Sequence, residues 1–149
     1  MTKKYFHYTP EVRIDEIIQS GKINLATASV YNKKEKACAW VSSNPIWEKT
    51  ATKMVFDEFG NTTKLTFDEQ LEMFGCARIE VKEIGLYSWN KLVHIAKMNP
   101  TFAEQMVRVG VEQGGKPSEW FGSLYPITKD KWIKAEIYKN GEWVEYKVF

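Results

Sequence analysis

The chain has 149 residues, of which 44% are hydrophobic and 14% aromatic, which suffices for one good core and is too short for two, so a single domain over 1–149 is expected. Its 21 basic and 19 acidic residues are mixed along the chain for a net charge of +2, without the concentrated basic face that duplex DNA binding uses. Six Trp, seven Tyr and eight Phe exclude a disordered or purely solvating chain.

The opening stretch Tyr5 to Gly21 reads as a short strand that delivers His7 and Thr9 to the mouth of a helix. Thr9 suits the N-cap, Pro10 the first helical position, and Ile14, Ile17 and Ile18 one helical face, with Gly21 as the stop. Placed so, His7 and Thr9 lie beside unpaired helix-terminal N–H groups, where a polar or anionic ligand is held. Lys22 to Tyr31 reads as an irregular connector, briefly extended at Ile23 and Leu25, and Lys33, Lys34 and Lys36 as a solvated basic loop.

Ala37 to Ser42 is a short apolar run with the character of an interior strand. Ser43-Asn44-Pro45 signals a helix start, which predicts a helix from Ile46 toward Phe56, stopping before Gly60-Asn61. Thr66-Phe67-Asp68-Glu69 is a capping box, so a short helix runs to about Phe74 and ends at Gly75. Cys76 to Lys82 alternates, with Ala77, Ile79 and Val81 on a buried face and Arg78, Glu80 and Lys82 toward solvent.

Ser88 caps a helix containing Trp89, Leu92, Val93 and Ala96, with His94 as a structural side chain, and a second helix begins at Pro100 and carries Phe102, Met106 and Val109. Trp120 to Tyr125 is extended in character. Asn140-Gly141 between Trp132–Lys139 and Glu142–Phe149 is the strongest hairpin signal in the chain. The order of helices and strands gives the fold class α+β.

Several chemistries are excluded by the residues. Walker, Gly-x-Gly-x-x-Gly and Gly-x-Ser-x-Gly motifs are absent. The two histidines, His7 and His94, form no zinc spacing with Cys38 and Cys76, which read as free core thiols without a feature to activate them. No apolar run approaches about 18 residues, and no hydrophobic leader follows the first four residues, so the cytoplasm is the expected compartment and no membrane partner is expected.

Three segments together resemble the ADP-ribosyltransferase fold. His7-Tyr8-Thr9 followed by Ile17-Ile18 and Ser20-Gly21-Lys22-Ile23 resembles the opening segment that lines the NAD site of that family. Ser118-Glu119-Trp120 through Pro126-Ile127 resembles the segment of DarT-like toxins that carries their catalytic glutamate at the head of a strand. Ala39-Trp40-Val41-Ser42 is similar to a central strand of divergent transferases of the fold.

The resemblance implies a split antiparallel sheet around an NAD cleft, with flanking helices and a C-terminal hairpin. It implies that His7 and Thr9 position NAD, that Tyr8, Tyr31 or Trp40 stacks on a ring, that Ser42 lies on the same cleft, and that Glu119 holds the nicotinamide-ribose hydroxyl. The toxins carry a phosphate-contacting Arg in their central segment. Cys38 to Met54 has none, so Lys49, Lys53, Arg78 or Arg13 would take that role.

The implied activity is mono-ADP-ribosyl transfer from NAD to a nucleic-acid base or a protein side chain, or NAD glycohydrolysis. Compact transferases of this kind occur as toxins, phage factors and defence proteins. The alternative is a protein of the same fold that binds a nucleotide or a partner protein without turnover. The related tRNA 2′-phosphotransferase chemistry ranks last, because it relies on a basic set of residues that the chain lacks.

Overall fold

The structure is a computed structural model in which residues 3–27 and 34–149 are described. Tyr31 and Lys33, named above, lie outside the described residues. The strands are β1 (Tyr5–Thr9), β2 (Lys22–Ile23), β3 (Ala39–Ser42), β4 (Met54–Phe56), β5 (Thr62–Lys64), β6 (Ala77–Val81), β7 (Tyr87–Ser88), β8 (Trp120–Ser123), β9 (Ile127–Thr128), β10 (Trp132–Lys139) and β11 (Glu142–Val148). The helices are α1 (Ile14–Ser20), α2 (Phe67–Met73), α3 (Trp89–Ile95) and α4 (Pro100–Glu112). The chain is α+β, as its pattern of elements predicts.

Seven strands form one antiparallel sheet in the order β11-β10-β6-β1-β3-β8-β7. Two-stranded ladders β2-β9 and β4-β5 flank it. Pairing is uneven at the centre. β1 matches β6 over five residues, Tyr5 to Thr9 against Val81 to Ala77, but meets β3 at the single pair Phe6↔Ser42. β1 and β3 therefore diverge beyond Phe6.

Ile14 and Ile18 of α1 pack on one face of β6 and β10, against Ala77, Ile79, Ala135 and Ile137. The opposite face carries Phe6 and Tyr8 with Trp47, Cys76, Phe67, Tyr138 and Trp143. A third cluster joins α3 and α4 to Cys38 and Trp120.

Local signals hold at several ends. Gly21 takes φ 75° and closes α1, Gly75 takes φ 71° after α2, and Thr66 with Glu69 forms the full capping box. Asn140 (φ 52°) and Gly141 (φ 82°) make the left-handed turn between β10 and β11. Asn99 caps α4 by accepting from the Phe102 N–H at 3.1 Å.

Three expectations are corrected. Thr9 is the last residue of β1 rather than a helix cap; Glu11–Arg13 is a 3-10 turn, and α1 starts only at Ile14. No helix spans 46–56. A 3-10 turn at Lys49–Ala51 is followed by β4, because Asp57 closes a tight turn by accepting from Phe59 N–H (2.9 Å) and Asn61 N–H (2.8 Å) and so pairs β4 with β5. β6 is buried on both faces, all five residues of it, because it lies inside the sheet with side chains packed above and below.

Arg78 on β6 is therefore not solvent-facing. Its Nε meets Glu136 Oε1 at 2.8 Å, Nη1 donates to the Pro45 carbonyl at 2.6 Å, and the guanidinium lies 3.9 Å from the Phe6 ring centroid and 4.3 Å from that of Trp143. Removing one partner of such a buried pair leaves the other charge uncompensated. Glu136→Leu is expected to destabilise the protein by about 3–5 kcal/mol, read by urea unfolding. A loss under about 1 kcal/mol would show that water reaches Arg78.

Candidate functional site

The divergence of β1 from β3 opens into a cleft of about 1070 Å³, walled by β1, α1, β3, the 48–54 segment and α4. That volume lies just above the usual range for small-molecule and cofactor sites, about 300–1,000 Å³. His7 bridges the gap, its Nδ1 lying 2.8 Å from the Trp40 carbonyl oxygen. A carbonyl only accepts, so Nδ1 carries the proton and Nε2 is an acceptor. Nε2 has no partner among the described residues, and His7 lines the cleft. Burial pushes the His7 pKa below its ordinary value, against the opposing pull of the Trp40 carbonyl, so the ring is neutral near pH 7.

The other predicted site residues fall into two groups. Tyr8, Thr9, Trp40 and Ser42 join His7 in lining the cleft. Tyr8 does so with its hydroxyl already engaged, donating to the Asn44 carbonyl and accepting from Arg78. Burial raises the Tyr8 pKa to about 12, so the hydroxyl stays protonated. Arg78 and Glu119 are not in the lining. Glu119 is half-buried at the foot of β8, where Oε1 accepts from Asn44 Nδ2 at 3.3 Å, while the indole of the next residue, Trp120, lines the cleft.

The expected row of free N–H groups at the helix mouth is also absent. Glu11 N–H and Val12 N–H donate to the carbonyls of Gly75 and Phe74, both at 3.2 Å, so the end of α2 satisfies them. Positive charge reaches the cleft through side chains instead. Arg13, Lys22 and Lys53 line it, whereas Lys49 does not.

Glu48 is the site residue that sequence reasoning missed. It lines the cleft yet is 7% exposed, and it holds four hydrogen bonds: Oε1 accepts from the Ser42 hydroxyl (2.8 Å), and Oε2 from Thr50 N–H (3.2 Å), the Thr50 hydroxyl (2.7 Å) and Trp120 Nε1 (3.3 Å). The sequence gives no warning, because a helix over 46–56 would leave Glu48 on an ordinary polar turn.

Neither thiol is suited to attack. Burial raises Cys38 to about 11 and Cys76 to about 12. No cluster of three His, Cys, Asp or Glu that could hold a metal occurs among the described residues, nor any helix long and apolar enough to cross a membrane. No protein-family model, curated protein or solved structure matches the chain.

Two outcomes follow from this geometry. A Cβ at Gly110 on α4 would stand 2.4 Å from the Trp120 ring, so Gly110→Ala must displace the indole that donates to Glu48. The expected cost is about 1–3 kcal/mol, with a changed tryptophan emission. His7 titrates at its ordinary 6.5 when unfolded and lower when folded, so its contribution is complete above 6.5 and is lost as pH falls below that value toward the folded pKa. The stability advantage of wild type over His7→Gln should therefore shrink between about pH 7 and pH 5, measured as Tm. An advantage that grows with acid would mean that the ring is buried as a cation.

Proposed function

We propose that the protein is a mono-ADP-ribosyltransferase that binds NAD in the cleft between β1 and β3 and transfers ADP-ribose to a macromolecular acceptor, or to water. One observation carries this reading. The three segments that resemble the family, far apart in the chain, lie on the adjacent strands β1, β3 and β8, with a cleft of dinucleotide size opening between the first two. Neutral His7 offers Nε2 as an acceptor for a ribose hydroxyl, and Thr9 lies beside it on the same strand. Arg13, Lys22 and Lys53 supply the cations for the diphosphate in place of a central arginine.

Breaking the bond between ribose and nicotinamide builds positive charge on the sugar, and a fixed carboxylate in a dry site stabilises it. In this reading Glu119 exchanges its 3.3 Å contact with Asn44 for the nicotinamide-ribose hydroxyl. A second reading, a nucleotide-binding protein without turnover, is favoured by one fact: Glu119 stands outside the cleft lining in this structure.

Purified protein incubated with NAD should release nicotinamide slowly, and Glu119→Gln should lower the rate by about 10²–10³ with little change in affinity. Tight NAD binding without release in the wild type selects the second reading. Neither binding nor release, by calorimetry and chromatography, would sink both.

A further inference from the structure

The Glu48 carboxylate is held wholly by neutral donors: a serine hydroxyl, a threonine hydroxyl, a backbone amide and an indole. The salt bridges of Arg78 and Lys134 go to Glu136, and none to Glu48 occurs among the described residues. Lys64 is near enough to feel its charge, yet the Lys64 ammonium donates to the Lys49 carbonyl at 2.8 Å. Buried charges ordinarily have a counter-charge or a metal ion. Here the four hydrogen bonds fix the carboxylate in place on the wall of an open cleft, with no salt bridge to it among the described residues.

What surrounds the charge indicates what would neutralise it. Trp40, Trp89 and Trp120 line the same cleft. The rings of Trp40 and Trp89 lie 6.1 Å apart, and those of Trp89 and Trp120 lie 5.4 Å apart at 90°. Indole faces attract cations and accept flat rings. A hard metal ion needs several oxygen or nitrogen ligands, and no group of three His, Cys, Asp or Glu that could hold one occurs among the described residues.

We infer that the Glu48 and tryptophan end of the cleft is a subsite for a flat organic cation, with Glu48 as the counter-charge that contacts it. The inference deepens the NAD reading and rests on it for the natural ligand: the cation would be the pyridinium ring of the oxidised dinucleotide, and Glu48 would favour the oxidised over the reduced form. It also separates the roles of two carboxylates. Glu48 binds the charged ring, and Glu119 remains the group for the sugar.

The test compares 1-methylnicotinamide, which carries the ring charge, with neutral nicotinamide, by tryptophan quenching and calorimetry on the wild type, Glu48→Gln and Thr50→Ala. The cation should bind about tenfold or more tightly than the neutral ring. Glu48→Gln should abolish that preference, and Thr50→Ala, which keeps the charge, should retain it. Equal binding of the two rings to the wild type overturns the inference without recourse to any variant, as does failure of both to bind. A preference that survives Glu48→Gln overturns it too. ADP-ribose, which lacks the ring, serves as the independent probe of the nucleotide reading. If it binds while the ring preference is missing, only the Glu48 inference falls; if the cation binds and ADP-ribose does not, only the NAD reading falls.

Discussion

The broken pairing between β1 and β3 is the constraint on which the rest of the structure depends. A sheet strand carries a row of N–H and C=O groups that must find partners, and β1 meets this requirement fully on the β6 side and at one pair on the β3 side. Beyond Phe6 a side chain bridges the strands, with the His7 ring donating to the Trp40 carbonyl. The imidazole thus does two jobs with two nitrogens. One ties the diverging strands, and the other faces the space that their divergence creates.

The two sides of this opening have different character. On the side of β6 and β10 the sheet is locked by the Arg78–Glu136 pair, with the guanidinium against the rings of Phe6 and Trp143. That arrangement uses up the arginine, so the cations at the cleft come from Arg13, Lys22 and Lys53, on the 3-10 turn before α1, on β2 and on the segment before β4. On the side of β3 and β8 the wall is aromatic and contains a buried carboxylate with no salt bridge among the described residues. Positive side chains and an anionic aromatic corner in one cleft suit an elongated ligand with charges of both signs.

Features that depend on neighbours along the chain were legible in the sequence. The glycine stop at Gly21, the capping box at Thr66, the Pro100 helix start and the Asn140-Gly141 turn are all read from a few adjacent residues, and each holds. Features that depend on what packs against a segment were not. Arg78 and Glu80 alternate with apolar residues as if on a solvated face, and only the packing on both sides of β6 buries them. The segment 46–56 carries a helix-start signal, but a turn closed by Asp57 pairs its second half as β4. Thr9 resembles an N-cap, yet the N–H groups that follow it are satisfied by carbonyls more than 60 residues away in sequence, at Phe74 and Gly75.

The sequence by itself determined the α+β class and the element ends at Gly21, Thr66, Pro100 and Asn140-Gly141, because capping and turn preferences are local, whereas a shared cleft for His7, Tyr8, Thr9, Trp40 and Ser42 was implied only by the resemblance to a family. Only the tertiary structure decided that Arg78 is engaged on the other side of β1, that Glu119 stands outside the cleft lining and that Glu48 occupies the wall. Burial and charge compensation depend on which distant groups arrive within hydrogen-bonding distance, and no local pattern encodes that.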